Sequence, residues 1–342
     1  MNLGEFPFKA AATPPVISVI VPFYNERQVL PLCLDRLEKV LQAQGERFEV
    51  VFVDDGSDDG GDQYLIAEGR TRPWLQLVRL SRNFGKEAAL TAGLDYAVGR
   101  AVVLLDADLQ DPPECIPEML ARWREGADVV LMQRRDRAGE SWSKRASAYL
   151  YYRLLRRLAR VPIPTDSGDF RLMSRRAVEA VRRLDERNRY MKGLFAWVGL
   201  PTVVCEYHRA PRPAGNSKWS YPRLLGLALE GITSFSVAPL RWATMAGVVA
   251  ALLGGGYGAV IVVKALLFGE AVQGYPSLVA LITFLGGLQL LTIGLVGEYV
   301  GKTYLEAKRR PIYLVRDVVK PVSPGGEQRQ STREALAHAH VR

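Results

Sequence analysis

The chain has 342 residues, with 45 Lys and Arg against 36 Asp and Glu, giving a net charge of +9. That balance excludes both an acidic disordered chain and a histone-like one, and no nucleic-acid partner is expected. Length suggests about two domains on a prior of roughly 150 residues each, but the 48% hydrophobic fraction hides a split. The runs Trp242 to Val263 and Ala271 to Gly297 contain no charged residue. Each exceeds the ~20 apolar residues that cross a bilayer as a helix, so a purely soluble protein is not expected.

Residues 1–15 read as a Pro/Ala-rich tail without the basic and apolar regions of a signal peptide. From Val16, apolar β-branched runs alternate with helical stretches. Strands are expected at 17–22, 48–55, 75–80, 101–108 and 128–132. Helices are expected over Glu26 to Gln44, within Gly60 to Gly69, over Lys86 to Val98, and from Ile116 to Glu125. Continuously apolar strands separated by helices imply a parallel sheet covered on both faces, with ligands beyond its carboxyl ends. Tyr24-Asn25-Glu26, Asp54-Asp55-Gly56-Ser57 and Asp106-Ala107-Asp108 all fall at such ends.

After about residue 133 the alternation stops. Residues 133–145 read as a basic loop, and 144–160 as either a solvated helix with an apolar core face or an amphipathic helix on an anionic membrane surface, with 221–236 a second candidate for the latter. The last 30 or so residues form a polar tail. Cys33, Cys115 and Cys205 lie far apart, with neither a disulfide framework nor zinc spacing. Their free thiols suit a reducing cytoplasm.

The strongest local signal is Leu104 to Pro112. In an extended strand Asp106 and Asp108 project from the same face, where two carboxylates repel unless a cation lies between them. Mg²⁺ or Mn²⁺ shared with a substrate diphosphate fits, with Gln110 adding a neutral oxygen. The stretch 53–62 fails as a calcium loop, because Ile66 stands where a bidentate Glu is required. Dinucleotide binding also fails, since no G-x-G-x-x-G follows the first strand.

The ordered motifs Pro22–Glu26, Val53–Ser57, Asn83–Lys86, Asp106–Gln110, Asp166–Leu172 and Arg212–Lys218 resemble those of the family 2 glycosyltransferases. Within that family the chain is most similar to the polyisoprenyl-phosphate glycosyltransferases. Glu186–Gly193 and the paired spans bring it near the bactoprenol glucosyltransferases, over about residues 16–310. The resemblance implies an α/β, GT-A-like, mostly parallel catalytic domain at 16–220, followed by a juxtamembrane segment at 221–241. Two transmembrane helices (about 242–264 and 275–298) and a cytoplasmic tail at 301–342 complete the expected plan.

By the same resemblance Pro22, Tyr24, Glu26, Val53, Asp55, Lys86 and Ala107 belong to the nucleotide-sugar pocket, with Asp55 reading the base. Asp106, Asp108 and Gln110 match the metal and sugar-diphosphate site, and Arg134 a basic residue near the diphosphate. Asp169 and Asp108 are the catalytic candidates; Arg212 and Lys218 match a pair that binds donor or acceptor phosphates. A lipid phosphate needs little proton abstraction, so Asp169 is expected to orient the sugar or a basic partner such as Lys218. The implied reaction moves a sugar, glucose from UDP-glucose, onto undecaprenyl phosphate with inversion. A multi-pass inner-membrane homo-oligomer is expected, its catalytic domain and both termini cytoplasmic. Processive synthases of the superfamily carry Q-x-x-R-W near a span; here Arg241-Trp242 is present but Ala238 holds the Gln position. That favours a single transfer over a processive polysaccharide synthase. A non-catalytic nucleotide-binding subunit would not need Asp106, Asp108 and Asp169.

Overall fold

The structure, a computed structural model, describes residues 15–135, 167–187, 189–208, 233, 236–268 and 274–320. They fall into two compact units, one holding the described residues up to 208 together with 311–320, the other holding those from 233 to 310.

The first unit is built on an eight-stranded sheet in the order β7-β5-β6-β4-β1-β2-β3-β8. Its strands are β1 (Ile17–Phe23), β2 (Phe48–Asp54), β3 (Leu75–Leu80), β4 (Ala101–Leu104), β5 (Val129–Arg134), β6 (Ser167–Ser174), β7 (Thr202–Tyr207) and β8 (Val315–Val319). The central strands β4, β1, β2 and β3 are parallel. Every residue of β1 is buried, as expected of a strand with helices on both faces. The helices are α1 (Leu30–Gln42), α2 (Gly61–Glu68), α3 (Lys86–Tyr96), α4 (Ile116–Arg124), α5 (Arg175–Arg182) and α6 (Met191–Trp197). Helix α1 buries Leu30, Cys33, Leu34, Leu37 and Leu41, the 3.6-residue stripe visible in the sequence.

Three differences from the sequence reading bear on the site. Helix α1 begins at Leu30 rather than Glu26, because Asn25 takes a left-handed φ of 55° and Pro31 starts the first turn. Strand β4 stops at Leu104, so Asp106 and Asp108 do not share one face of an extended strand. They sit in a turn in which Leu109 adopts φ 56°, a conformation that is costly for a bulky side chain. Strand β6 lies antiparallel between β4 and β5, and Gln133 and Arg134 belong to β5 rather than to a basic loop.

The stretch read as a tail also contributes structure. Strand β8 pairs antiparallel with β3, and the Ser81 amide donates to the Leu314 carbonyl at 2.8 Å. Arg79 joins the strands: its Nε is 2.6 Å from Asp317 and its Nη1 is 2.8 Å from Asp62. Tyr313 adds a hydroxyl bond to Asp95 at 2.8 Å.

The second unit contains α7 (Ala238–Phe268) and α8 (Tyr275–Ala307). Ala238–Lys264 and Phe284–Ala307 are each long and apolar enough to cross a membrane. Leu252, Leu253, Leu266, Leu290 and Leu291 are exposed, as suits helices surrounded by lipid rather than by a protein core. The Tyr299 hydroxyl donates to the Ser236 carbonyl at 2.5 Å. The amphipathic readings at 144–160 and 221–236 fall almost wholly outside the described residues.

Candidate active site

Hydrogen bonds lock together the loops at the carboxyl ends of β1, β2 and β4. The Asn25 amide donates to Ser57 Oγ at 3.0 Å, and Asn25 Oδ1 accepts from the Asp58 amide at 3.0 Å. The Arg27 amide donates to Asp59 at 2.8 Å. The loop after β1 is therefore fastened to the loop after β2, and the left-handed Asn25 is held by its neighbours. The β2 loop is fastened in turn to the chain entering α3. Asp55 accepts from the Phe84 amide at 2.7 Å and from the Gly85 amide at 2.9 Å. Gly56 permits this approach: at φ 74°, a Cβ there would lie 2.6 Å from the Arg82 carbonyl carbon.

The next link carries the charge. In the β4–β6 register Leu104 faces Arg171. Beyond that last pair, Asp106 in the turn after β4 and Asp169 on β6 both reach one ammonium, that of Lys86. Like charges drawn that close repel. The Lys86 ammonium, on the first residue of α3, resolves the conflict. Its Nζ lies 2.7 and 2.8 Å from the two oxygens of Asp106 and 2.6 Å from Asp169 Oδ2. Burial works against the ammonium, but the two carboxylates outweigh it and hold the lysine pKa well above its ordinary value. Burial likewise opposes the Asp169 carboxylate, yet Lys86 and then Lys192 hold its pKa far below the usual range. Asp169 Oδ1 is buried and has no hydrogen-bond partner among the described residues.

Two further layers support this junction. Burial, followed by the Asp169 charge, pushes Glu87 up to about 7, while its Oε2 accepts from the Met191 amide at 3.3 Å. Burial draws Arg171 down to about 10; its guanidinium donates to the Gly168 and Asp169 carbonyls and lies 4.0 Å above the Phe195 ring. Beside them, the Tyr207 hydroxyl donates to the buried Asp111 and accepts from Arg134 Nε at 3.3 Å. This aims Arg134 into the neighbourhood of Asp106 and Asp111, whose charges reinforce its own.

Of the residues expected at the site, Glu26, Asp55, Lys86, Asp106, Asp108, Gln110, Arg134 and Asp169 lie on or beside these loops. Tyr24 is exposed on the β1 loop. Pro22, Val53 and Ala107 are buried. Asp108 Oδ1 accepts from the Gln110 amide at 3.1 Å, so Gln110 shapes the turn through its backbone. Arg212 and Lys218 lie outside the described residues. The basic partner that the sequence suggested for Asp169 was Lys218; among the described residues that partner is Lys86. Sequence reasoning missed Glu87, Asp111, Arg171, Lys192 and Tyr207. Arg171 and Lys192 lie inside the motifs Asp166–Leu172 and Glu186–Gly193, and Glu87 and Asp111 directly follow two others, but nothing in the sequence pointed to Tyr207.

Among the described residues, no group of three or more His, Cys, Asp or Glu side chains is placed to hold a metal alone. Asp106 and Asp108 still fit a hard divalent ion, which binds through one or two carboxylates when substrate phosphates supply further oxygens. The partnerless Asp169 oxygen shows that the site has unused acceptor capacity.

The chain matches glycosyl transferase family 2 over residues 18–182 and the GtrB C-terminal hairpin over residues 238–303. It is 46% identical over 302 residues to an uncharacterized glycosyltransferase of Synechocystis, covering 88% of this chain and 95% of that protein. A prophage bactoprenol glucosyl transferase homolog of Escherichia coli is 44% identical over 304 residues, covering 89% of this chain and 99% of that protein. The bactoprenol glucosyl transferase of Shigella phage SfV is 45% identical over 301 residues, covering 88% and 98% respectively.

Proposed function

Since the chain belongs to the family 2 glycosyltransferases, we propose that it moves one glucose from UDP-glucose to the phosphate of undecaprenyl phosphate, inverting the anomeric carbon. The observation that carries this reading is the convergence of Asp106, Lys86 and Asp169 beyond the carboxyl ends of the strands. It occurs in a chain whose relatives, matched over nearly their full length, are named bactoprenol glucosyl transferases.

Asp106 and Asp108 would hold the divalent ion, Mg²⁺ or Mn²⁺, which when bound offsets the charge of the leaving diphosphate. Arg134, fixed by Tyr207, adds positive charge on the same side. The tied loops hold their positions before substrate arrives, so little reorganisation of the backbone is needed during transfer. Arg212 and Lys218 bind the donor or acceptor phosphates.

Asp169 acts by position rather than as a base. A carboxylate held far below its usual pKa is a weak proton acceptor. A lipid phosphomonoester with a second pKa of about 6 is already mostly dianionic at neutral pH. Asp169 therefore holds Lys86 and offers its buried free oxygen to the sugar.

We infer that the protein sits in the cell membrane, with α7 and α8 crossing as a hairpin and the catalytic domain in the cytoplasm. Strand β8 supports this topology, because the chain that follows α8 returns to the sheet that precedes α7. Basic residues Lys302, Lys308, Arg309 and Arg310 gather at the same end of α8. The glycines Gly254, Gly258, Gly286 and Gly287 offer close packing surfaces for a homo-oligomer.

Three experiments test these readings. Purified full chain, incubated with undecaprenyl phosphate and a panel of nucleotide sugars, should give by mass a lipid carrying one hexose, with UDP-glucose as donor. A polymer, or no lipid product from any donor, contradicts the proposal. Asp169→Asn should slow transfer at least tenfold yet keep a pH profile governed by the acceptor near about 6; a rising limb well above pH 7 would restore a base role. A cysteine placed at Gln273 should react with an impermeant thiol reagent from the non-cytoplasmic face, and labelling only after lysis refutes the hairpin.

A further inference from the structure

We propose that Lys86 stands in for the divalent cation in the free enzyme and couples metal entry to diphosphate binding. The inference rests on the metal-dependent reading given above and concerns what this chain's own residues do before any ion arrives.

The ammonium contacts three of the four oxygens of Asp106 and Asp169, all within 2.8 Å. Both Asp106 oxygens are among them, and Asp106 is one of the two carboxylates suited to the ion. A divalent ion on Asp106 would therefore meet a resident cation on the same oxygens. Like charges that close repel strongly in a partly desolvated site. Hard divalent ions also surrender hydration water reluctantly. Asp106 and Asp108, with Lys86 in place, form a poor trap for a free metal ion.

A nucleoside diphosphate changes both sides of that balance. Its oxygens complete the coordination of the ion and offer the ammonium a new anion to bind. Lysine suits the exchange: its compact charge sits on a flexible four-carbon stem, and the Lys86 side chain is 44% exposed even while its head is paired. Metal and diphosphate should thus strengthen each other's binding, and linkage makes that coupling reciprocal. The portion transmitted through Lys86 disappears when the ammonium is removed. The consequence for the enzyme is an order of assembly: the free protein stays unmetallated, and the ion is captured with the nucleotide sugar.

Mn²⁺ retained by the detergent-solubilised full chain in equilibrium dialysis, with and without UDP, tests the proposal. Wild type should hold Mn²⁺ weakly alone and much more tightly with UDP. Lys86→Met should bind Mn²⁺ alone at least tenfold more tightly than wild type, with a smaller gain from UDP. Adding Asp106→Asn to Lys86→Met should abolish the new affinity, which assigns it to this site. Lys86→Gln, which keeps a donor without charge, gives the same reading should the methionine variant prove unstable. Equal Mn²⁺ affinity of wild type and both Lys86 variants without UDP overturns the gating role and leaves the metal reading intact. Absence of Mn²⁺ binding by every protein even with UDP overturns the metal reading, and the gate with it.

Discussion

Asp106 and Asp169 arrive at the same place from opposite directions. Past the last β4–β6 pair, Leu104 and Arg171, both carboxylates contact the same Lys86 ammonium. Asp169 stays ionised at ordinary pH, being held far below its normal range. The site consequently requires a cation at all times, and Lys86 supplies it. Lys86 is the first residue of α3, and the loop before it is pinned by Asp55. With the Lys86 side chain 44% exposed, solvent screens the contact and it adds little to stability. Its contribution here is placement: Lys86 draws Asp106 and Asp169 together beyond the strand ends.

The surrounding loops are rigid for the same reason. Asn25, Ser57, Asp58, Asp59 and Arg27 bind one another, Gly56 lets the next segment approach, and Asp55 closes the chain. Two of the three non-glycine residues with positive φ among the described residues, Asn25 and Leu109, occur in these loops. Backbone held in a sparsely populated region persists only where its surroundings enforce it. At Leu109 the enforcement comes from complete burial of the side chain, which fixes the turn bearing Asp106 and Asp108.

Much of this was legible in the sequence, and the remainder follows a physical pattern. Strands β1 to β5 and helices α1 to α4 announce themselves because continuous apolar runs and 3.6-residue stripes are local signals. The carboxylates at strand ends were visible for the same reason. Strand β6 was not, since its antiparallel insertion between β4 and β5 depends on pairing between distant segments. The Lys86–Asp169 contact shares that origin: each residue lies in a recognisable motif, but nothing local says that the motifs meet. Asp111 and Tyr207 look like loop polarity and an ordinary aromatic until the fold brings them together. Strand β8 was read as tail because Val315–Val319 is short, partly exposed and interrupted by Arg316 and Asp317. Its anchor, Arg79, lies in β3, far away in sequence.

The most direct test of the account is a structure of the full chain with UDP-glucose and Mn²⁺ bound. The account predicts the ion on Asp106 and Asp108 with the diphosphate beside it. It also predicts that Lys86 Nζ will have left at least one Asp106 oxygen for the diphosphate, while the loops bearing Asn25, Asp55 and Leu109 keep their present conformations. A nucleotide bound with the Lys86–Asp106–Asp169 contacts unchanged and the metal held elsewhere would contradict it.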